Sequence, residues 1–118
     1  MSVFIDEETN DITMTRGDSL RTIVSMIRGD EEYVPQDGDS VRFAVKRDLL
    51  NTTRTAYKDA EPLILKDIPI ATMLLSLDPE DTKSLSFGDY AYDIEITYES
   101  GIVDTFIEAK LKLTPEVY

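Results

Sequence analysis

The chain has no histidine, no cysteine and no tryptophan, and its 12 lysines and arginines are outnumbered by 24 aspartates and glutamates. Each shortage excludes something. Without His and Cys there is no Ser-His-Asp or Cys-His triad, no thiolate nucleophile, no disulfide, and none of the usual ligand sets for zinc, copper, haem or iron–sulfur centres. A formal charge of −12 repels phosphate backbones and anionic lipid, which argues against nucleic-acid and membrane-surface partners. Glycine and proline are few, 5 of each, while 42% of the residues are hydrophobic, a composition that supports folding. At 118 residues the length suits a single domain, residues 1–118, with one core.

Long hydrophobic runs are missing too. The longest candidate, Leu63 to Leu77, is interrupted by Lys66, Asp67 and Pro69, so a membrane-spanning helix is not expected. The opening Met-Ser-Val-Phe-Ile-Asp-Glu-Glu carries acid where a signal peptide needs Lys or Arg, and its apolar run is three residues long. The expectation is a protein made and folded in a cytoplasm.

What the sequence does have is period-two patterning. Tyr90, Tyr92, Ile94, Ile96 and Tyr98 alternate with Ala91, Asp93, Glu95 and Thr97, which predicts a strand with one buried face. After a turn at Glu99-Ser100-Gly101, Val103, Thr105, Ile107, Ala109, Leu111 and Leu113 form a second inward set, leaving Phe106 on the solvent side. Val41, Phe43 and Val45 predict another strand, entered through Pro35-Gln36-Asp37-Gly38-Asp39. Leu20 to Arg28, rich in β-branched residues and bracketed by Gly17-Asp18 and Gly29-Asp30, reads as one strand, with Ile12 to Thr15 a short one before it. Leu63 to Leu65 and Ala71 to Leu77 read as strands, although a helix over 70–77 fits so short a run, and Leu49 to Ala60 has no clean period. Asp78-Pro79-Glu80-Asp81 has the acidic N-cap and the proline of a helix start and predicts one helical turn over 79–84, bridging strands of opposite sheets. Together these elements predict an all-β, antiparallel immunoglobulin-like β-sandwich of seven to eight strands, with a closed barrel as the alternative.

Acidic clusters at Asp6-Glu7-Glu8 with Asp11, Asp30-Glu31-Glu32, Asp37 with Asp39, and Asp78-Glu80-Asp81 raise the question of calcium. None has the twelve-residue EF-hand pattern, and solvent-facing turns and protected strand edges account for them more simply. A carboxylate pair could run glycoside hydrolysis, but a small sandwich offers little cleft to raise one carboxyl. Arg16-Gly17-Asp18 and Arg28-Gly29-Asp30 spell an adhesion tripeptide twice, with turn geometry as the plainer account. No enzyme, cofactor or metal ligand is expected. Asp81, Thr82, Gly88, Tyr90 and Tyr92 look like the corner that links the sheets in immunoglobulin-like folds, where a buried Tyr phenol bonds to backbone upstream. Tyr90 or Tyr92 would be that residue, with half-buried strand aromatics as a compatible account of both.

Thr15-Arg16-Gly17-Asp18 leading into a strand, Pro35 to Asp39 leading into Val41 to Lys46, the run Leu77, Asp81, Thr82, Leu85, Gly88, Tyr90, Tyr92 to Ile94, then Gly101, Thr105 and a final Pro-Glu-Val carry a resemblance over residues 12–117. The chain resembles small all-β proteins of phage and prophage structural modules from Gram-positive bacteria, and is similar to the N-terminal β-sandwich of their baseplate upper proteins. The pattern departs at Leu49 to Ala60 and ends at Tyr118 with no receptor-binding domain or stalk downstream. The resemblance therefore implies a virion-assembly or tail-accessory role, with other virion proteins or a second copy as partner and the virion tail as destination. Rigid virion sandwiches work through apolar patches and exposed edges, and Ile23, Ile27, Leu49, Leu50 and Phe106 are the candidate interface positions. Two other readings stand beside this one: a calcium-dependent immunoglobulin-like adhesion module, and an acidic DNA mimic that blocks a basic host protein.

Overall fold

The computed structural model describes residues 3–47 and 62–115, apart from the side chain of Arg28. The protein is mostly β, as its alternation demands. In chain order the described elements are β1 (Val3–Ile5), β2 (Ile12–Thr15), β3 (Leu20–Ile23), β4 (Met26–Arg28), β5 (Glu31–Tyr33), β6 (Ser40–Arg47), β7 (Ile64–Ile68), β8 (Leu74–Leu77), the short helix α1 (Pro79–Lys83), β9 (Gly88–Thr97) and β10 (Val103–Thr114). A six-stranded sheet runs β1-β2-β10-β9-β6-β7, and two ribbons, β3-β8 and β4-β5, accompany it. The ribbons contribute Leu20, Leu75, Leu77 and Met26 to the same buried cluster as Met14, Phe43, Ile96 and Leu111 of the large sheet, so they cover its inner face. Each such side chain contributes roughly 2 kcal/mol by leaving water. Helix α1 joins β8 of one ribbon to β9 of the large sheet, and is thus a bridge between sheets.

Four local expectations need correction. The sheet is not wholly antiparallel, because β2 pairs with β10 in parallel, Ile12 opposite Leu111 and Met14 opposite Leu113. Leu20 to Arg28 is two strands: the chain leaves β8 after Val24, whose amide donates to the Met73 carbonyl (2.8 Å), and β4 then pairs with β5. Together with β1 and β5, that break gives ten strands among the described residues instead of seven or eight. Ala71 to Leu77 is strand only from Leu74, since Pro69 closes a turn whose carbonyl accepts from Met73 (2.7 Å) and which holds Met73 at φ 52°.

The fourth correction concerns β10. Its ladder with β9 shifts between Thr105 and Ile107, so Asp104 faces Ile96 while Ile107 faces Ile94. One extra residue in one strand reverses the faces on either side of it. Val103 is therefore exposed, and Phe106 is half-buried against the core instead of solvent-facing. Its ring lies 6.4 Å from that of Tyr33, nearly parallel.

Candidate functional site: a surface crevice beside a bonded corner

The corner is built around α1. Pro79 begins the helix, and the Asp78 amide donates to Asp81 Oδ2 (2.7 Å), one half of a capping box. Asp81 Oδ1 also meets Lys66 Nζ of β7 at 3.0 Å, and Asp78 meets the Arg21 guanidinium of β3 at 2.8 Å. Thr82 is wholly buried, and its Oγ1 accepts the Gly17 amide (2.8 Å). Gly17, at φ 87°, thus belongs to a turn clamped on the helix, and Arg16-Gly17-Asp18 is no displayed loop tip. The Arg16 guanidinium carbon sits 4.2 Å from the centroid of the half-exposed Phe87 ring.

The two tyrosines divide the remaining work. The Tyr90 phenol donates to the Ser86 carbonyl four residues upstream (2.8 Å), which closes the corner locally. The Tyr92 phenol donates to the Asn10 carbonyl in the loop between β1 and β2, and burial followed by the nearby Asp11 carboxylate pushes its pKa up to about 12. Gly88 opens β9 at φ 129°. Asp81, Thr82, Gly88 and Tyr90 thus gather at one corner, whereas Tyr92 holds a different loop.

A crevice of about 760 Å³ lies between the strands. Its floor is core: Ile12, Leu75, Tyr92 and Ile94, all nearly inaccessible. Three of the residues singled out from the sequence converge on it. Ile23 is 66% exposed and Ile27 55%, and both line the crevice with Phe106. Leu49 and Leu50 lie outside the described residues. Ile5, Thr22 and Ile107 also line it: the sequence shows no strand pattern at Ile5, places Thr22 inside one long strand, and gives Ile107 the look of an ordinary inward position. A second cavity of about 390 Å³ shares Ile5 and Thr22 with the first and continues along β3 to Asp18.

Several carboxylates of the acidic clusters accept backbone amides. Asp6 Oδ1 accepts the Glu8 and Thr9 amides (2.8 and 3.2 Å), and Asp11 Oδ1 accepts the Lys110 amide (2.9 Å). Asp39 takes the Tyr33 phenol (2.6 Å) and the Gln36 and Glu99 amides, and these bonds, the phenol's first, hold its carboxyl below the usual range. No three carboxylates converge in a metal-holding group among the described residues. No described helix is long and apolar enough to cross a membrane.

Fold and site together define a mostly β protein with a surface crevice open to its core, lined by apolar residues and by Glu7, Asn10, Thr22 and Ser25. No family model, no curated protein and no solved structure matches the chain.

Proposed function

We propose that the chain is a non-enzymatic structural protein of a phage or prophage virion, associated with the tail or baseplate, that acts through protein–protein contacts on an immunoglobulin-like sandwich. The observation that carries the contact role is the convergence of Ile23, Ile27 and Phe106 on one crevice whose floor is core. Two large aliphatic side chains left more than half in water beside a cleft floored by core residues favour a partner that covers them. The sandwich reading is supported by the order β2-β10-β9-β6-β7, with β3-β8 on the same core and a helical corner between β8 and β9 closed by a tyrosine phenol. The virion assignment rests on the resemblance carried by residues 12–117. The partner is another virion protein or a second copy, with neither nucleic acid nor a membrane involved.

The test is a density gradient of particles released from cells that carry the gene, probed with an antibody to the chain. Co-migration with tails, lost for Ile27→Asp while the variant melts like wild type, supports the assignment. A chain that stays at the top of the gradient as a monomer, at every loading, overturns it.

A further inference from the structure

We propose that the crevice takes an extended segment of a partner protein as an added β-strand on the edge of β3 that no described strand pairs, and that this segment alternates apolar with basic residues. The inference rests on the contact reading above and specifies the partner's chemistry.

The geometry begins with hydrogen bonds. Val24 N donates to Met73 O, which makes Val24 and Met73 a hydrogen-bonded pair of the antiparallel ladder. Such pairs alternate, so Thr22 with Leu75 and Leu20 with Leu77 are bonded as well, and the amides and carbonyls of Arg21 and Ile23 point away from β8. Among the described residues β3 has no ladder partner other than β8, and β1 none other than β2. The two strands flank the cavity lined by Val3, Ile5, Leu20 and Thr22, so both of its lips are strand edges. Sharing Ile5 and Thr22, the two cavities make one slot along β3, which at about 3.3 Å per residue is roughly 13 Å long. A row of backbone groups with no described ladder partner, beside a slot that mixes Val3, Ile5, Leu20 and Ile23 with polar residues, is the arrangement that strand addition uses: the backbone supplies affinity and alternate side chains enter the slot.

Charge selects the occupant. Glu7 and Asp18 line the slot, and the one described cation there, Arg21, is already bonded to Asp78 and to the Leu77 carbonyl. A second copy would bring another −12 to this acidic rim, whereas a strand with lysine or arginine on its outward face is attracted to it.

A fluorescein-labelled nonapeptide alternating Val or Ile with Lys is titrated into the protein, with two controls: a central proline, and Glu replacing every Lys. Saturable anisotropy is expected for the basic peptide alone, with new hydrogen-exchange protection at the Arg21 and Ile23 amides. Ile23→Pro removes the edge donor without touching the β8 ladder, and Thr22→Phe fills the slot; each weakens binding by about tenfold or more. Equal binding of the proline or acidic peptide, protection at β7 instead of β3, or concentration-dependent protection of Arg21 and Ile23 with no peptide present each overturns the proposal. If the chain joins particles but the basic peptide neither binds nor protects these amides, strand addition falls and the contact reading survives.

Discussion

Single side chains decide how tightly the corner is held. Thr82 has no exposed surface, and its hydroxyl is the acceptor for Gly17. Thr82→Val keeps the shape and leaves that amide unsatisfied, so urea unfolding should register a loss of about 1–3 kcal/mol, with Thr82→Ser losing less. Tyr90→Phe removes the Ser86 bond and should cost about 1 kcal/mol in the same assay. Tyr92 adds a pH signature. Its folded pKa is raised to about 12 from an ordinary value of 10.0, so the folded form keeps a proton that the unfolded chain loses. The stabilisation is fully present below pH 10 and is lost as pH rises towards 12. Urea midpoints through that window should fall less steeply for Tyr92→Phe than for wild type; parallel slopes would show that the phenol is not buried as described. The spacing of Tyr90 and Tyr92 puts both on one face, so the sequence could point to the pair but not to which phenol reaches Ser86. That division depends on where the loop carrying Asn10 arrives, 82 residues away.

At the scale of elements, β9 was legible because its alternation is unbroken from Tyr90 to Ile96, and every inward residue is buried. The strand opposite misleads after its bulge: Val103 and Thr105 continue the apolar parity of Leu113 on paper, yet the shift near Phe106 turns that parity over. A bulge has no hydrophobic signature of its own, which is why the pattern alone predicts Phe106 on the solvent side. The break between β3 and β4 was equally hidden, since Val24 and Met26 are both buried and alternation does not record a change of partner. The outer face of β9 offers a test. Burial, then Glu95 and Glu108, raise the pKa of Asp93 against the opposing pull of Lys46 and Arg42. The folded state therefore holds that proton more tightly, and stability falls as pH rises through the raised value. Asp93→Asn should raise the melting temperature at neutral pH, with the gain vanishing once acid protonates the wild-type carboxyl. Gly38 offers another: at φ 94° a Cβ there would stand 2.9 Å from Glu99 Cγ. Gly38→Ala should cost about 1 kcal/mol or more, and adding Glu99→Ala should relieve only the part of the clash due to Cγ and Cδ, since Glu99 Cβ, at 3.0 Å, and the backbone strain both remain.

Over the whole molecule, strand content and the β9–β10 hairpin are readable in the sequence, whereas the neighbours of the other strands are not. The parallel match of β2 with β10 is fixed by Ile12, Met14, Leu111 and Leu113 meeting in the core, and no local window contains both strands. Net charge is the property that acts at this scale. With 24 acids against 12 bases, and most acids in turns and on outward faces, folding gathers like charges together. Raising sodium chloride from about 20 to 500 mM shortens the Debye length to a few ångströms and should raise the melting temperature. A fall would mean that ion pairs such as Arg42 with Glu95 outweigh the general repulsion.

The parallel pairing also sets an order of events in time. Thr114 Oγ1 donates to the Met14 carbonyl across a sequence separation of 100, and β10 stands between β2 and β9. While a ribosome is still producing the residues before Val103, β1 and β2 have no place to dock on the sheet, and Ile12 and Met14 stay in water. The fold is therefore completed by a late, long-range closure that is slow to nucleate and exposes apolar edges until it occurs. A nascent chain stalled before β10 should be the form that chaperones and proteases hold.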